Sequence, residues 1–245
     1  MKEIFFSIIT ATKNPKNIFP TLESLRSQTF KNYENIIIDS SIKPIKDKIK
    51  TNYNFRYFYD KKLSLYEALN FGIKKSKGHI IFFLHSDDYL VDKKTLSQIN
   101  LAFKKKEIEV VYGDIIMSAN RFSRSWKSGI YNIKKIYKGW HPPHTSFFCK
   151  RNTLLKNGLF KTKYKIASDY ELMIRLLLLL KPKNIKYLAK PIINMKIGGT
   201  STKSIKNIIT SNLEVFEILK SFKIRNYYQI IFFKIIRKFL QIRLK

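Results

Sequence analysis

The chain has 245 residues, of which 48 are Lys or Arg and only 17 Asp or Glu, for a formal net charge of +31. A content of 44% hydrophobic and 14% aromatic residues, with 8 Gly and 7 Pro, excludes a disordered or low-complexity chain and suffices for one α/β domain with a sizeable core. The single cysteine, Cys149, excludes a disulfide framework and a cysteine-based metal cluster, suits a reducing compartment, and reads as a small buried hydrophobe.

In chain order, apolar β-rich runs lie at Ile4–Thr10, Asn35–Asp39, Phe55–Tyr59, His79–Leu84 and Glu109–Tyr112. Helical spacing appears between them, in Ile18, Leu22 and Leu25, then in Leu65, Leu69 and Ile73, then in Leu96, Ile99 and Phe103. Strands alternating with helices predict βαβ units and a mainly parallel sheet. The N-terminal apolar run is too short for a signal peptide and breaks at Thr10 to Asn14, so a first strand and a cytosolic protein are expected.

After about Ser118 the pattern becomes irregular and rich in Arg, Lys, Trp, Tyr and His, as in a segment that shapes a second substrate pocket. A strong helix follows, with Ser168 placed to cap it, Glu171 placed to complete a capping box, and Pro182 placed to stop it. Its five leucines, Leu176 to Leu180, fall far short of the roughly 20 residues that span a bilayer. From Ser204 the chain reads as helical, with a break near Arg225 and Asn226. Beyond the break Tyr228, Ile231, Phe232, Ile235, Phe239 and Ile242 share one side, and Lys234, Arg237, Lys238, Gln241 and Lys245 another, the pattern of an interfacial helix. The expected organisation is a domain over 1–203, with a donor half to about 117 and an acceptor half from 118, and a basic amphipathic extension over 204–245.

Ligands of open parallel sheets sit beyond the carboxyl ends of the strands. Those ends carry Thr10 to Asn14, Asp39 to Ser41 and His85 to Asp88. Asp87 and Asp88 close a wholly apolar strand in a chain poor in acids. A hard cation such as Mg²⁺ or Mn²⁺ takes carboxylate oxygens and leaves positions for phosphate, so acids placed here let a basic protein bind a diphosphate. The basic surplus also suits an anionic membrane surface. As 39 of the 48 cations are Lys scattered along the whole chain, it does not single out a nucleic acid.

Five segments resemble the inverting family 2 glycosyltransferases of the GT-A fold, in order over roughly residues 4 to 220. They are FSIITATKN, TLESLRSQTFKNYENIIIDSS, DKKLSLYEALNFGIKKSKGHIIFFLHSDD, HPPHTSFFCKRNTLLKNGLFKTKYKIASDYELMIRLL and MKIGGTSTKSIKNI. The last two resemble a bacterial subgroup that builds surface polysaccharides. The resemblance implies a Rossmann-like sheet flanked by helices, a nucleotide-sugar donor (a UDP-sugar by preference), and a glycan or lipid-diphosphate acceptor at the inner face of the cell membrane. It places Asp39, Thr10 and Thr12 at the nucleotide, Asp60 near the donor, and Asp87 and Asp88 at metal and diphosphate, with Asp88 the direct ligand. Asp169 matches the catalytic base, and His144 lies near the acceptor or the donor phosphates. Trp140 is placed to stack on a sugar or to pack in the core, and Gly198 to Ser201 to close over the diphosphate. His85 stands in register with the family's first metal carboxylate. The competing readings are a nucleotidyltransferase, disfavoured because Thr10 to Asn17 contains no Gly, and a non-catalytic basic module for membranes or nucleic acid.

Overall fold

The structure, a computed structural model, describes residues 5–49, 53–118, 122–196, 204–240 and 242–244. Gly198 to Ser201 lie outside the described residues. The first half runs β1 (Phe6–Thr12), α1 (Phe19–Arg26), β2 (Tyr33–Asp39), β3 (Arg56–Tyr59), α2 (Leu65–Lys75), β4 (Ile80–Phe83), β5 (Tyr89–Leu90) and α3 (Thr95–Phe103). All seven residues of β1 are buried, as the continuously apolar run predicts for a strand covered on both faces. β3, β2, β1 and β4 are neighbours and pair in parallel. α2 starts with a complete capping box, Ser64 with Glu67.

The second half comprises β6 (Val110–Ser118), β7 (Phe122–Trp126), α4 (Ile133–Ile136), β8 (Phe147–Lys150), α5 (Arg151–Asn157), α6 (Ser168–Leu179) and β9 (Ile185–Lys196), then α7 (Ile205–Ser221), α8 (Tyr227–Leu240) and β10 (Ile242–Leu244). Here the sheet turns antiparallel through β4–β8, β8–β6, β6–β7 and β7–β10. β9 returns parallel to β6 with a register shift at Gly113 to Ile115. The irregular stretch after Ser118 thus contains strand β7, and Ile242, expected on the last helix, belongs to β10.

The helices from residue 205 onward are not detached. Val215, Ile218, Leu219, Ile224 and Ile230 are buried in the same cluster as Ile9, Tyr112 and Leu176. The break between α7 and α8 has left-handed backbone at Lys223 and Asn226.

A buried carboxylate secures the edge of the sheet opposite the strand ends that carry the acids. Glu34 accepts from Ser7 Oγ, from the Lys77 N–H at 2.6 Å and from Arg56 at 2.7 Å. Gly78 lies against this knot, where a Cβ would come within 2.6 Å of the backbone of Phe6 and Ser7. Gly78→Ala is therefore expected to lower unfolding stability by about 1–3 kcal/mol, since backbone cannot give way as a side chain can. Urea denaturation of the purified variant measures it.

Candidate active site

The parallel strands deliver their polar ends to one edge. The β1 and β2 loops are stitched together there, the Asn14 N–H donating to Ser41 Oγ at 2.7 Å and the Ile42 N–H to Asn14 Oδ1 at 3.1 Å. Asn14 adopts a left-handed φ of 48°, which Asn tolerates better than most residues. A cleft of about 410 Å³ lies alongside, lined by Asn14, Lys16, Phe19, Ile42, Lys43 and Ile45 among others.

The expected nucleotide residues divide in this geometry. Thr12 is buried with its hydroxyl unpartnered, so it retains a hydrogen bond to give. Thr10 is fully enclosed and its hydroxyl turns to Asn35 of β2, so it does not line a pocket. Asp39 is fully buried, and its carboxylate accepts from the N–H groups of Ser41 and Ile45, each at 2.9 Å, and from the Tyr57 hydroxyl. Its place at the end of β2 is as expected, but it acts here by shaping the 40–45 loop. Asp60 is exposed beside it, its N–H donating to the Asp39 carbonyl at 3.0 Å.

Beyond β4, Asp87 is exposed and Asp88 buried. Thr21 of α1 holds this turn, donating to the Asp88 carbonyl at 2.7 Å. Burial raises the Asp88 pKa to about 7, against the His144 charge and the Lys196 N–H. A buried carboxylate so short of countercharge suits a cation, and hard cations prefer such oxygens. No cluster of three His, Cys, Asp or Glu close enough to hold a metal occurs among the described residues. A cation here would complete its shell with water and substrate oxygens.

His85 is not aimed as a metal ligand. Its Nε2 lies 3.2 Å from Nε2 of His144, and burial together with the His144 charge lowers its pKa to about 3. The same His144 ring presents Nδ1 to Asp169 Oδ2 at 2.9 Å. Asp169 Oδ1 accepts from the Tyr170 N–H at 2.7 Å and from the Tyr66 hydroxyl at 3.3 Å. Enclosure alone would raise the Asp169 pKa. The His144 charge and hydrogen bond outweigh it and bring the value to about 2. Burial opposes a charge on His144, yet Asp169 and Asp88 raise its pKa above the ordinary histidine value. At 23% side-chain exposure Asp169 still meets solvent, so an incoming hydroxyl can reach it.

Asp169 stands in the first turn of α6, but not by the predicted cap. Ser168 is the first helical residue, and its buried hydroxyl has no partner. Glu171 is buried in ion pairs with Lys161 at 2.8 Å and Arg175 at 2.9 Å. Glu214 of α7 instead secures the loop that enters the helix, accepting from the N–H groups of Lys165, Ile166 and Ala167 at 2.8, 2.9 and 2.7 Å. Trp140 has no face for a sugar. It is buried against Tyr112 and Tyr131 and donates its indole N–H to the Ser128 carbonyl at 2.6 Å. Sequence reasoning missed Tyr66 and Glu214, which act across 103 and about 48 residues and carry no local signal.

A sheet that ends in a carboxylate turn, with a partly buried carboxylate at a helix start, fits the GT-A class of nucleotide-sugar enzyme. The pattern described as Glycosyl transferase family 2 matches residues 7–162, and the chain belongs to that family. An Escherichia coli relative, UDP-Glc:alpha-D-GlcNAc-diphosphoundecaprenol beta-1,3-glucosyltransferase WfaP, is 28% identical over 242 residues, 92% of this chain and 89% of its own. A Mycobacterium tuberculosis PGL/p-HBAD biosynthesis glycosyltransferase is 26% identical over 69% of this chain and 68% of its own. Among solved structures, S. aureus TarS 1–349 in complex with UDP-GlcNAc superimposes with a TM-score of 0.72 at 20% identity, covering 97% of this chain and 73% of that one. Against the longer TarS chain the coverage is 40% of its length. The Pyrobaculum calidifontis mannosyltransferase PcManGT, in complex with GDP-Man and Mn2+, shares the fold with a TM-score of 0.60 at 12% identity, covering 92% of this chain and 69% of that one. Family membership makes this chain a glycosyltransferase, and the nucleotidyltransferase and non-catalytic readings give way.

The His144–Asp169 pair makes a signed prediction. Replacing His144 by Asn removes the cation that holds Asp169 ionised, so the Asp169 pKa should rise and the acid limb of kcat/KM should move to higher pH. A pH profile of wild type and His144→Asn tests this, and an unmoved acid limb would assign that limb to another group.

Proposed function

We propose that this chain is an inverting transferase that moves a sugar from a nucleoside-diphosphate donor, a UDP-sugar by preference, to a hydroxyl of a glycan or lipid-diphosphate acceptor in cell-surface polysaccharide assembly. The observation that carries this is Asp169, kept ionised by His144 at 2.9 Å while partly open to solvent. That ring also touches His85, which begins the turn bearing Asp87 and Asp88. One network thus joins a base to a diphosphate site, the two groups that a single in-line displacement requires. The diphosphoundecaprenol in the name of the E. coli relative favours a lipid-linked acceptor.

In this reading Asp169 takes the proton of the acceptor hydroxyl as that oxygen attacks the anomeric carbon, and the configuration inverts. Thr12, the 40–45 loop held by Asp39, and Asp60 border the nucleotide. Asp88, with Asp87, would hold Mg²⁺ or Mn²⁺, which when bound offsets the charge growing on the departing diphosphate. His144 keeps Asp169 oriented and ionised.

Peripheral attachment to an anionic membrane fits the +31 charge. Ile205, Ile209 and Leu213 of α7 and Tyr228 and Phe232 of α8 are exposed at helical spacing. No helix among the described residues is long and apolar enough to cross a membrane.

Calorimetric titration with UDP, GDP, CDP and dTDP, with and without Mn²⁺ or Mg²⁺, tests the donor side. Selective, metal-dependent binding that Asp88→Ala loses is expected. Asp169→Asn should keep nucleotide binding and lower transfer by roughly 10²–10⁴-fold. Binding indifferent to base, metal and Asp88 but weakened evenly by salt would sink the proposal.

A further inference from the structure

We infer that the polar face of α1 is a positioning device for the carboxylate turn, and that the Thr21 hydroxyl sets how strongly a divalent cation tightens the hold on a nucleoside diphosphate. The inference rests on the transferase reading above, in which Asp88 and Asp87 hold the cation, and assigns what that reading leaves open, the groups that keep Asp88 in place.

A surface helix ordinarily buries its apolar residues and turns its polar ones to water. α1 and the turn after it bury polar ones as well. Thr21, Ser24 and Gln28 recur at intervals of three and four, and Thr21 and Gln28 are 0% and 1% exposed. Buried polar side chains need partners, and here the partners are backbone groups of the segment that leaves β4. The Thr21 hydroxyl donates to the Asp88 carbonyl at 2.7 Å and lies 3.3 Å from the His85 carbonyl. Ser24 Oγ accepts from the Leu90 N–H at 3.2 Å. Gln28 donates to the Asp92 carbonyl and accepts from the Leu96 N–H, both at 3.0 Å. The seam follows the chain from 85 to 96.

One hydroxyl meets both ends of the turn. The Asp88 N–H donates to the His85 carbonyl at 3.0 Å, which closes the turn, and Thr21 reaches the carbonyls of the same two residues. Fixing the Asp88 carbonyl fixes the direction in which its Cα–Cβ bond leaves the backbone, and so where its carboxylate points. Partners that orient a ligating side chain are worth roughly 10–100-fold in metal affinity.

The apolar face of the same helix reaches the nucleotide side. Ile18, just before α1, and Leu22 pack with Ile37 and Ile45. Ile45 donates its N–H to Asp39 at 2.9 Å. A helix of only 8 residues therefore stands between the 40–45 loop and the Asp88 turn and touches each with a different face. That shared support fixes the spacing between the groups that border the nucleoside and those that face its diphosphate.

Calorimetric titration of the full chain with UDP, in Mn²⁺ and in EDTA, gives the factor by which metal tightens binding. Thr21→Val, which keeps the shape and removes the hydroxyl, should cut that factor roughly tenfold or more and leave the metal-free affinity at the wild-type value. Thr21→Ser should restore the factor. Ser24→Ala should lower it by less, and carries the test alone if Thr21→Val does not fold. Thr29→Val, at the far end of the seam, where the Thr29 hydroxyl donates to the Lys93 carbonyl at 3.2 Å, should change neither affinity. Hydrogen exchange without ligand should speed in Thr21→Val over residues 86–91 alone. Equal loss of UDP affinity with and without Mn²⁺, faster exchange across the whole sheet, failure of Thr21→Ser to restore the factor, or a Thr21→Val indistinguishable from wild type would each overturn the inference. Wild type reads the donor proposal by itself. UDP bound no tighter with Mn²⁺ would overturn the metal role of Asp88, and the positioning by Thr21 would then stand or fall on the exchange arm.

Discussion

A carboxylate enclosed by protein needs donors or a cation beside it, and this molecule is arranged around meeting that need at Asp169. Four segments distant in sequence converge there. His144 supplies a ring nitrogen, Tyr66 of α2 a hydroxyl and Tyr170 its own N–H, while Glu214 of α7 secures the loop that leads into α6. Each contributor is held in turn. The turn bearing His144 is pinned where Ser146 donates to the Gly113 carbonyl at 2.8 Å, next to the register shift in β6. Tyr66 also donates to the Ile166 carbonyl at 2.6 Å, so α2 and the approach to α6 cannot separate without exposing Asp169. The core between the sheet and α6 is the support on which this geometry rests, through Leu172, Met173, Leu176 and Leu177.

The first half of the fold was legible because its physics is local. Continuous apolar runs flanked by helical spacing specify buried parallel strands, and the ends of β1, β2 and β4 bring Thr12, Asp39 and Asp88 to one edge as expected. Trp140, Thr10 and Ser168 turned out differently for reasons outside their own segments. An indole N–H found a carbonyl, a threonine faced along the sheet, and a glutamate 47 residues away secured the loop that the cap was expected to hold. β7 and β9 were hard to read because a half-exposed strand such as β9 has no continuous apolar run, its burial alternating irregularly. The meeting of His85, His144 and Asp169 depends on the fold alone.

The C-terminal helices show how an apparent appendage becomes part of a site. α7 contributes buried Val215, Ile218 and Leu219 to the main core, and Glu214 from the same helix reaches the α6 approach. α8 lies against Gly139 and carries Lys234 over the Tyr170 ring. One continuous stretch thereby combines an outward apolar face with inward polar groups.

The scarcity of acids in so basic a chain has a consequence for how it tolerates change. Glu34, Asp39, Asp88, Asp114 and Glu171 are buried, and Glu34, Asp39, Asp114 and Glu171 each anchor backbone or pair with a cation. Most of the lysines stand at the surface. Exchanging a surface lysine for asparagine alters a diffuse field that salt already screens, whereas exchanging one of these acids leaves donors unmet in the interior. The two kinds of charge therefore carry information of different density. The cations can drift with the nucleotide bias of a genome, and the few anions form the part of the text that must be copied faithfully.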